Sequence, residues 1–131
     1  MIYRRRVQFY ETDAQGVVHH SNYFRFFEEA RGEFLRDIGV PYSEIRESGY
    51  EVVLLEASCT FRKPLFYDEL FEIQLCLSEV DRFTFTFLYE VRVEGELRAE
   101  GRTRHCVTRQ GRIVSIPEKL RIKLLPTPRR G

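Results

Sequence analysis

The chain of 131 residues lacks the compositional features that mark several specialised classes of protein. It has no tryptophan, one methionine and three cysteines, and its 21 lysines and arginines nearly balance its 20 acidic residues. The formal net charge of +1 argues against a nucleic-acid partner, because nucleic-acid-binding proteins carry a clear basic excess. No apolar run approaches the roughly 20 residues of a membrane-spanning helix, and no secretory signal follows the basic N-terminus. We therefore expect a cytoplasmic protein without a membrane span.

The three cysteines, Cys59, Cys76 and Cys106, lack the C-x-x-C spacing that is typical of zinc and redox sites. Each lies in an apolar, strand-like stretch, which favours buried free thiols in a reducing compartment. The three histidines do not share a ligand-like spacing with them. The sequence therefore predicts no metal site and no redox cofactor.

Length and composition indicate one globular domain. The chain is 43% hydrophobic and 31% charged, as in ordinary soluble proteins, and it falls short of the roughly 150 residues that one domain typically takes. No repeat or linker interrupts it. We expect a single domain over residues 1–125 and a disordered tail over residues 126–131.

Hydrophobic spacing predicts one long helix among strands. Residues 2–10 should form a strand with Val7 and Phe9 on one face, followed by a loop. Apolar residues at steps of three and four then predict a helix from a Ser21 cap to Ile38, ended by Gly39. This helix is apolar on most sides, which is typical of a buried helix.

In most of the remaining chain, apolar and polar residues alternate with a period of two. A short helix over residues 41–48 should come first. Four long antiparallel strands should follow from Glu51 onward, separated by turns such as Glu94-Gly95-Glu96. One apolar sheet face and one apolar helix predict a two-layer α+β domain with the sheet curled around the helix.

The chain lacks the common catalytic motifs G-x-S-x-G, G-x-G-x-x-G, H-E-x-x-H and the P-loop. The chemistry that remains lies in residues 10–23, just before the long helix. Free N–H groups at a helix N-terminus can stabilise an oxyanion, and Asp13 facing the same carbon could be a general base or a nucleophile. Gly16 would let the backbone approach a ligand closely. Asp13 as a turn or capping residue remains the alternative.

The segment 8–23, QFYETDAQGVVHHSNY, resembles the active-site signature of the 4-hydroxybenzoyl-CoA thioesterase-like branch of the hotdog-fold acyl-CoA thioesterases. The Thr-Asp pair, the glycine three residues after the aspartate, the Val-Val pair and the Asn-Tyr pair all match. Residues 61–69, FRKPLFYDE, match the strand and turn of that family. The resemblance covers nearly the whole chain.

The resemblance implies a hotdog fold, with a five-stranded antiparallel sheet wrapped around one long central helix. It implies hydrolysis of an acyl-CoA thioester to free acid and CoA, at sites between the subunits of a homodimer that often pairs into a homotetramer. Asp13 corresponds to the catalytic carboxylate, and backbone N–H groups near His20 to the oxyanion hole. The 4-hydroxybenzoyl enzyme has tyrosine at position 20, whereas branch members that act on aliphatic acyl-CoAs share the histidine.

The other candidate site residues have two interpretations each. His20 could orient water or Asp13, or only shape the pocket. Gly16, Val17 and Tyr23 are candidates for substrate binding, with core packing as the alternative for Tyr23.

Arginine suits the phosphates of CoA through its planar donor fork. Arg62 and Lys63 at a strand end, and Arg82 at a turn, could meet the nucleotide, with solvated surface charge as the alternative. A strip of Arg98, Arg102 and Arg104 is more consistent with sheet–sheet contact or cross-strand pairing than with a ligand site.

Three further assignments remain open. A second thioesterase branch uses a glutamate on the central helix, for which Glu28 and Glu29 are the candidates. His105 lies on an apolar face, as a core histidine would. Two other functions for the fold are a hotdog dehydratase on acyl carrier substrates and a non-catalytic acyl-CoA-binding module.

Overall fold

The computed structural model describes residues 1–126. The tail predicted for residues 126–131 therefore lies, apart from Pro126, outside the described residues. In chain order the elements are β1 (Ile2–Arg6), α1 (Asn22–Asp37), α2 (Tyr42–Glu47), β2 (Glu51–Phe61), β3 (Leu70–Val80), β4 (Thr84–Val93), β5 (Glu96–Arg109), β6 (Arg112–Val114) and α3 (Glu118–Arg121).

The strands form one antiparallel sheet in the order β1-β3-β4-β5-β2. The five predicted strands are present, and the short β6 pairs with the end of β5 as a sixth. Period-two alternation buries one side of the sheet, as expected. The buried side chains of this face include Phe71, Ile73, Leu75 and Leu77 on β3 and Phe85, Phe87, Tyr89 and Val91 on β4. The long helix α1 contributes the other half of this core.

The Phe27 side chain of helix α1 packs directly against Gly101 on β5. The Phe27 ring stacks on the Tyr89 ring with centroids 4.3 Å apart. A Cβ placed on Gly101 would overlap the Cε2 and Cζ atoms of that Phe27 ring. Glycine at position 101 therefore lets the Phe27 ring lie directly against the sheet.

Two predictions about the N-terminal region are wrong. Strand β1 ends at Arg6 instead of Tyr10, and a 3₁₀ turn over Phe9–Glu11 follows it. Val7 is buried as expected, but Phe9 is 75% exposed because this turn rotates it away from the core. Ser21 does not cap α1: its φ and ψ of −60° and −25° are already helical, and its side chain makes no capping hydrogen bond within residues 1–126.

His105 is a core histidine, as predicted. It is 2% exposed, its ring stacks on Phe85 at 5.4 Å, and its Nε2 lies 2.8 Å from the Thr103 hydroxyl. Burial lowers the pKa of His105 to about 3, and nearby Arg31 acts in the same direction. His105 is therefore neutral in the folded protein at neutral pH.

This buried imidazole should make stability fall in mild acid. Between its ordinary pKa of 6.5 and the folded-state pKa of about 3, the unfolded chain binds a proton that the folded chain does not. The free energy of unfolding should therefore decrease as pH falls through this window, by up to about 1.4 kcal/mol per pH unit. In urea titrations between pH 4 and 7, His105→Gln should remove this one-proton slope. His19→Gln, at an exposed position, should retain it; equal slopes in the two variants would contradict the assignment.

Candidate active site

The segment that carries Asp13 is a short hairpin ahead of α1. Thr12 and Val18 form an antiparallel bridge, and the Asp13 N–H donates to the Val17 carbonyl at 2.9 Å. The Gly16 N–H donates to the Asp13 carbonyl at 3.0 Å and closes the turn. Gly16 has φ +79°, the left-handed conformation that glycine adopts without strain in such loops. The turn itself therefore requires this glycine.

The Asp13 carboxylate is both a turn residue and a candidate reactive group. Its Oδ1 accepts the Gln15 N–H at 2.8 Å, which is the bond of an Asx turn. Its Oδ2 accepts no hydrogen bond from residues 1–126, and the side chain is half-buried. One oxygen thus fixes the orientation of the carboxylate while the other is left for a ligand or water.

Some of the backbone N–H groups at the start of α1 are already hydrogen-bonded within the turn that precedes the helix. The Asn22 N–H donates to the His19 carbonyl at 3.0 Å, and the Tyr23 N–H to the His20 carbonyl at 3.3 Å. The Ser21 N–H donates to His19 Nδ1 at 3.2 Å. The His20 N–H finds no acceptor in the part of the chain that the structure describes. Among the amides of residues 20–23, that of His20 is therefore the free donor.

The two histidine rings differ in role. His19 organises the helix start through Ser21, whose hydroxyl lies 2.8 Å from His19 Nδ1. His20 is exposed, and its ring lies against the His19 ring with centroids 4.1 Å apart. No hydrogen bond joins the His20 ring to Asp13 among the described residues, so a catalytic role of His20 stays a prediction.

The hairpin lies beside the segment that follows β2. The Val18 N–H donates to the Leu65 carbonyl at 2.8 Å, and Val17 forms a bridge with Phe66. The structure thus brings together the two segments that carry the family resemblance.

Tyr23 lies beneath this junction. Its side chain is 2% exposed, and its ring packs edge-on against Phe61 at 4.9 Å. Burial raises the pKa of the Tyr23 hydroxyl to about 12. Within this chain Tyr23 is a core residue, and contact with substrate stays a prediction.

Two of the three candidate phosphate ligands, Arg62 and Lys63, are already paired. Arg62 donates to Glu100 at 2.9 Å and Lys63 to Glu96 at 2.8 Å. Both pairs are exposed, and exposed ion pairs contribute little stability, so a phosphate could compete for either cation. Their role in CoA binding stays a prediction.

The arginine strip on β5 makes the expected structural pairs. Arg102 and Arg104 both approach Glu56 across the β2–β5 ladder, at 3.2 and 3.5 Å. Arg98 is bidentate to Glu69, with both distances 3.0 Å. The cross-strand interpretation is therefore confirmed for the two arginines that face Glu56.

The helical glutamates are placed differently from one another. Glu29 accepts the Tyr3 hydroxyl at 2.8 Å and lies 3.5 Å from Arg5, whereas Glu28 is exposed. Glu29 is thus engaged with β1.

A cleft of about 240 Å³ lies elsewhere, between α2 and α3. Its lining residues are Val40, Glu44, Ile45, Ser48, Tyr50, Pro117, Lys119 and Leu120. None belongs to residues 8–23 or 61–69, so the candidate site does not coincide with this cleft.

Within residues 1–126, no cluster of three or more His, Cys, Asp and Glu side chains could hold a metal ion. No helix in that range has the length and apolar character needed to cross a membrane.

The sequence profile of the thioesterase-like superfamily matches residues 7–124. The match includes the hairpin, α1 and all of the strands except β1. The chain belongs to this superfamily. Its hotdog fold and its enzyme class, a thioester hydrolase, are as the resemblance implied.

Similar proteins share the whole domain. A hypothetical protein from Aquifex aeolicus is 62% identical, with a TM-score of 0.94 over 95% of this chain and 99% of that chain. The gentisyl-coenzyme A thioesterase BH1999 is 27% identical, with a TM-score of 0.86 over 95% and 98%. The 1,4-dihydroxy-2-naphthoyl-CoA hydrolase of Thermosynechococcus vestitus is 34% identical over 128 residues, 96% of this chain and 83% of that protein. The narrower 4-hydroxybenzoyl-CoA branch stays a prediction.

Proposed function

We propose that this protein is an acyl-CoA thioesterase that uses Asp13 to hydrolyse the thioester. One observation carries the proposal: among residues 1–126, the hairpin presents Asp13 with an unpartnered Oδ2, and the His20 N–H, which has no acceptor in that range, follows seven residues later at the start of α1. The positive end of the α1 dipole adds to the stabilisation that this N–H gives to a negative charge. Enzymatic hydrolysis of an acyl thioester uses a general base or nucleophile and an oxyanion donor, and a carboxylate can serve as the first of these.

Two routes use these groups. In the first, Asp13 Oδ2 takes a proton from water as the water oxygen attacks the thioester carbonyl. In the second, Asp13 Oδ2 attacks that carbonyl itself, and water then cleaves the mixed anhydride. In both, the His20 N–H donates to the developing oxyanion, the C–S bond breaks, and CoA leaves as a thiolate that takes up a proton.

The test is a panel of acyl-CoAs assayed for free thiol. It should include 1,4-dihydroxy-2-naphthoyl-CoA, gentisyl-CoA, 4-hydroxybenzoyl-CoA and straight-chain acyl-CoAs. Release of CoA together with free acid supports the proposal. Hydration of crotonyl-CoA without thiol release would indicate a dehydratase, and binding without turnover would indicate a non-catalytic module; either outcome contradicts it.

We further propose that the active unit is a homodimer joined along β2. This strand of 11 residues lies at the end of the sheet and pairs with β5 on one side. Its exposed side chains include Leu54, Leu55 and Phe61. A long apolar edge strand invites pairing with another strand, and a second copy of β2 supplies a self-complementary one. Pairing of two dimers into a homotetramer and a cytoplasmic location stay predictions.

Leu54→Lys should weaken this dimer. Leu54 is 49% exposed in the single chain, and its loss from an interface removes apolar burial in both copies. At about 1.5 kcal/mol per copy, the dissociation constant should rise about 100-fold. Analytical ultracentrifugation across a dilution series measures it. Ile113→Lys on β6 is the matched control, because Ile113 is also an exposed aliphatic residue. Equal dissociation constants for the two variants would place the interface elsewhere.

A further inference from the structure

Glu11 is the one acidic residue that is buried among residues 1–126, with 5% of its surface exposed. It stands two residues before Asp13. A carboxylate out of contact with water is costly unless its oxygens are hydrogen-bonded and its charge is paired. The partners of Glu11 therefore indicate what its burial maintains.

The side chain of Glu11 is bound on two sides. Arg5 of β1 donates two parallel hydrogen bonds to it, at 2.8 and 3.0 Å. The Gln8 N–H donates to the same carboxylate at 2.8 Å. The Arg5 guanidinium also lies 4.7 Å from the centre of the Phe26 ring on α1. The ion pair thus ties the residue before the hairpin to both β1 and α1.

The backbone carbonyl of Glu11 holds the far end of the same hairpin. It accepts the His19 N–H at 2.9 Å and the Asn22 Nδ2 at 2.9 Å. Asn22 is the first residue of α1, is buried, and is the single asparagine of the chain. One residue therefore connects the strand before the Asp13 hairpin with the helix after it.

We propose that Arg5, Glu11 and Asn22 form a clamp that sets the position of the Asp13 carboxylate relative to the His20 N–H. This inference rests on the proposed function. Asp13 is two residues from the clamped Glu11, and the His20 N–H directly follows His19, whose own N–H is bound to the Glu11 carbonyl. The three clamp residues are positioning residues, because they act through Asp13 and His20.

Two substitutions weaken the clamp with little change in volume. Asn22→Asp replaces the Nδ2 donor by an oxygen that faces the Glu11 carbonyl. Glu11→Gln removes the charge and leaves an amide N–H opposed to the Arg5 donors. A displacement of the reacting groups by about 1 Å can cost 10²-fold in rate, so each variant should lower kcat about 10- to 100-fold. KM should stay within about threefold, because surfaces that bind substrate uniformly are unchanged.

Thr103→Val is the matched control for loss of a buried polar interaction. The Thr103 hydroxyl lies 2.6 Å from the Tyr89 hydroxyl and 2.8 Å from His105 Nε2 in the middle of the sheet. This substitution should lower the melting temperature as the clamp variants do, yet leave kcat and KM at wild-type values. If Thr103→Val loses as much kcat as the clamp variants do, the loss of kcat reflects reduced stability, and the positioning role of the clamp is contradicted.

Hydrogen exchange provides a second readout that does not depend on turnover. In Asn22→Asp and Glu11→Gln, the hydrogen-bonded amides of residues 12–22, His19 above all, should exchange at least about 10-fold faster, because opening of this segment costs less free energy. In Thr103→Val these amides should exchange at the wild-type rate. Unchanged exchange in the clamp variants, or wild-type kcat in them, overturns the clamp while the thioesterase proposal stands. A wild-type protein that hydrolyses no thioester, with faster exchange in the variants, overturns the proposed function and leaves the clamp as a structural device alone.

Discussion

Asp13→Asn should lower kcat for thioester hydrolysis by about 10²- to 10⁴-fold, the range that a positioned general base contributes. Asparagine keeps the size of the side chain and an Oδ1 that can accept the Gln15 N–H, so the Asx turn should persist. What is lost is the charge and basicity of the second oxygen. Initial rates of thiol release measure the effect, and calorimetry with a non-hydrolysable acyl-CoA analogue should show binding retained.

Asp37→Asn is the control for this substitution. Asp37 is the exposed last residue of α1, and its variant should hydrolyse at the wild-type rate. If Asp13→Asn also hydrolyses at that rate, Asp13 is a turn residue only and the proposed chemistry fails. A parallel fall in binding and turnover would instead indicate that the hairpin has lost its shape.

A single turnover in ¹⁸O-water distinguishes general-base attack by water from a mixed anhydride that is cleaved at its aspartyl carbonyl. General-base attack by water puts the label in the acid product. Formation of a mixed anhydride and its cleavage at the aspartyl carbonyl puts the label in Asp13, which mass spectrometry of the peptide detects. Both outcomes retain Asp13 as the reacting carboxylate.

Gly101→Ala should destabilise the fold more than most single substitutions. The added Cβ would overlap the Phe27 ring, which is held in place by its stack on Tyr89. Overpacking of a filled core typically costs 1–3 kcal/mol and occasionally more; because the overlap is with a buried ring, we expect about 3 kcal/mol. Urea unfolding of the purified variant measures the loss in free energy of unfolding.

Gly32→Ala on α1 is the matched control. A Cβ there meets no atom within 4 Å among the described residues, and the position is helical. It should gain about 0.5–1 kcal/mol in stability. If Gly101→Ala is too unstable to purify, Gly101→Ala combined with Phe27→Leu supplies the answer, because removing the ring should recover part of the loss. Equal stabilities of the two glycine variants would contradict the close packing of the Phe27 ring against Gly101.

Local patterns in the sequence were enough for most of the secondary structure. The spacing of apolar residues by three and four along α1 and their alternation along β3 to β5 predict these elements correctly, because many residues in each element repeat the same pattern. The predictions that are wrong lie where few residues decide the conformation. Ser21 has the right chemistry for a cap, but the turn that contains His19 begins one residue earlier and makes Ser21 helical.

In the candidate site as well, some features were predicted from the sequence and others were not. Asp13 and Gly16 were available from the signature, because a short hairpin is encoded by adjacent residues. The approach of residues 61–69 to that hairpin, through Leu65 and Phe66, came only from the structure. Glu11 was missed, since a glutamate in a polar loop is ordinarily solvated. The signal that could have found it is the spacing from Gln8 to Glu11, which is that of a capping box.

By itself, the sequence determined the layers, the family, and a carboxylate in a tight turn ahead of a buried helix, because all of these depend on residues near one another in the chain. Only the tertiary structure decided that Glu11 is buried, that Arg5 neutralises it, and that Asn22 closes the hairpin onto the helix. Those contacts join β1, the loop and α1 across gaps of 6 and 11 residues. The spacing from Gln8 to Glu11 marks the local turn, but burial and charge pairing belong to the assembled core and are not specified by that spacing.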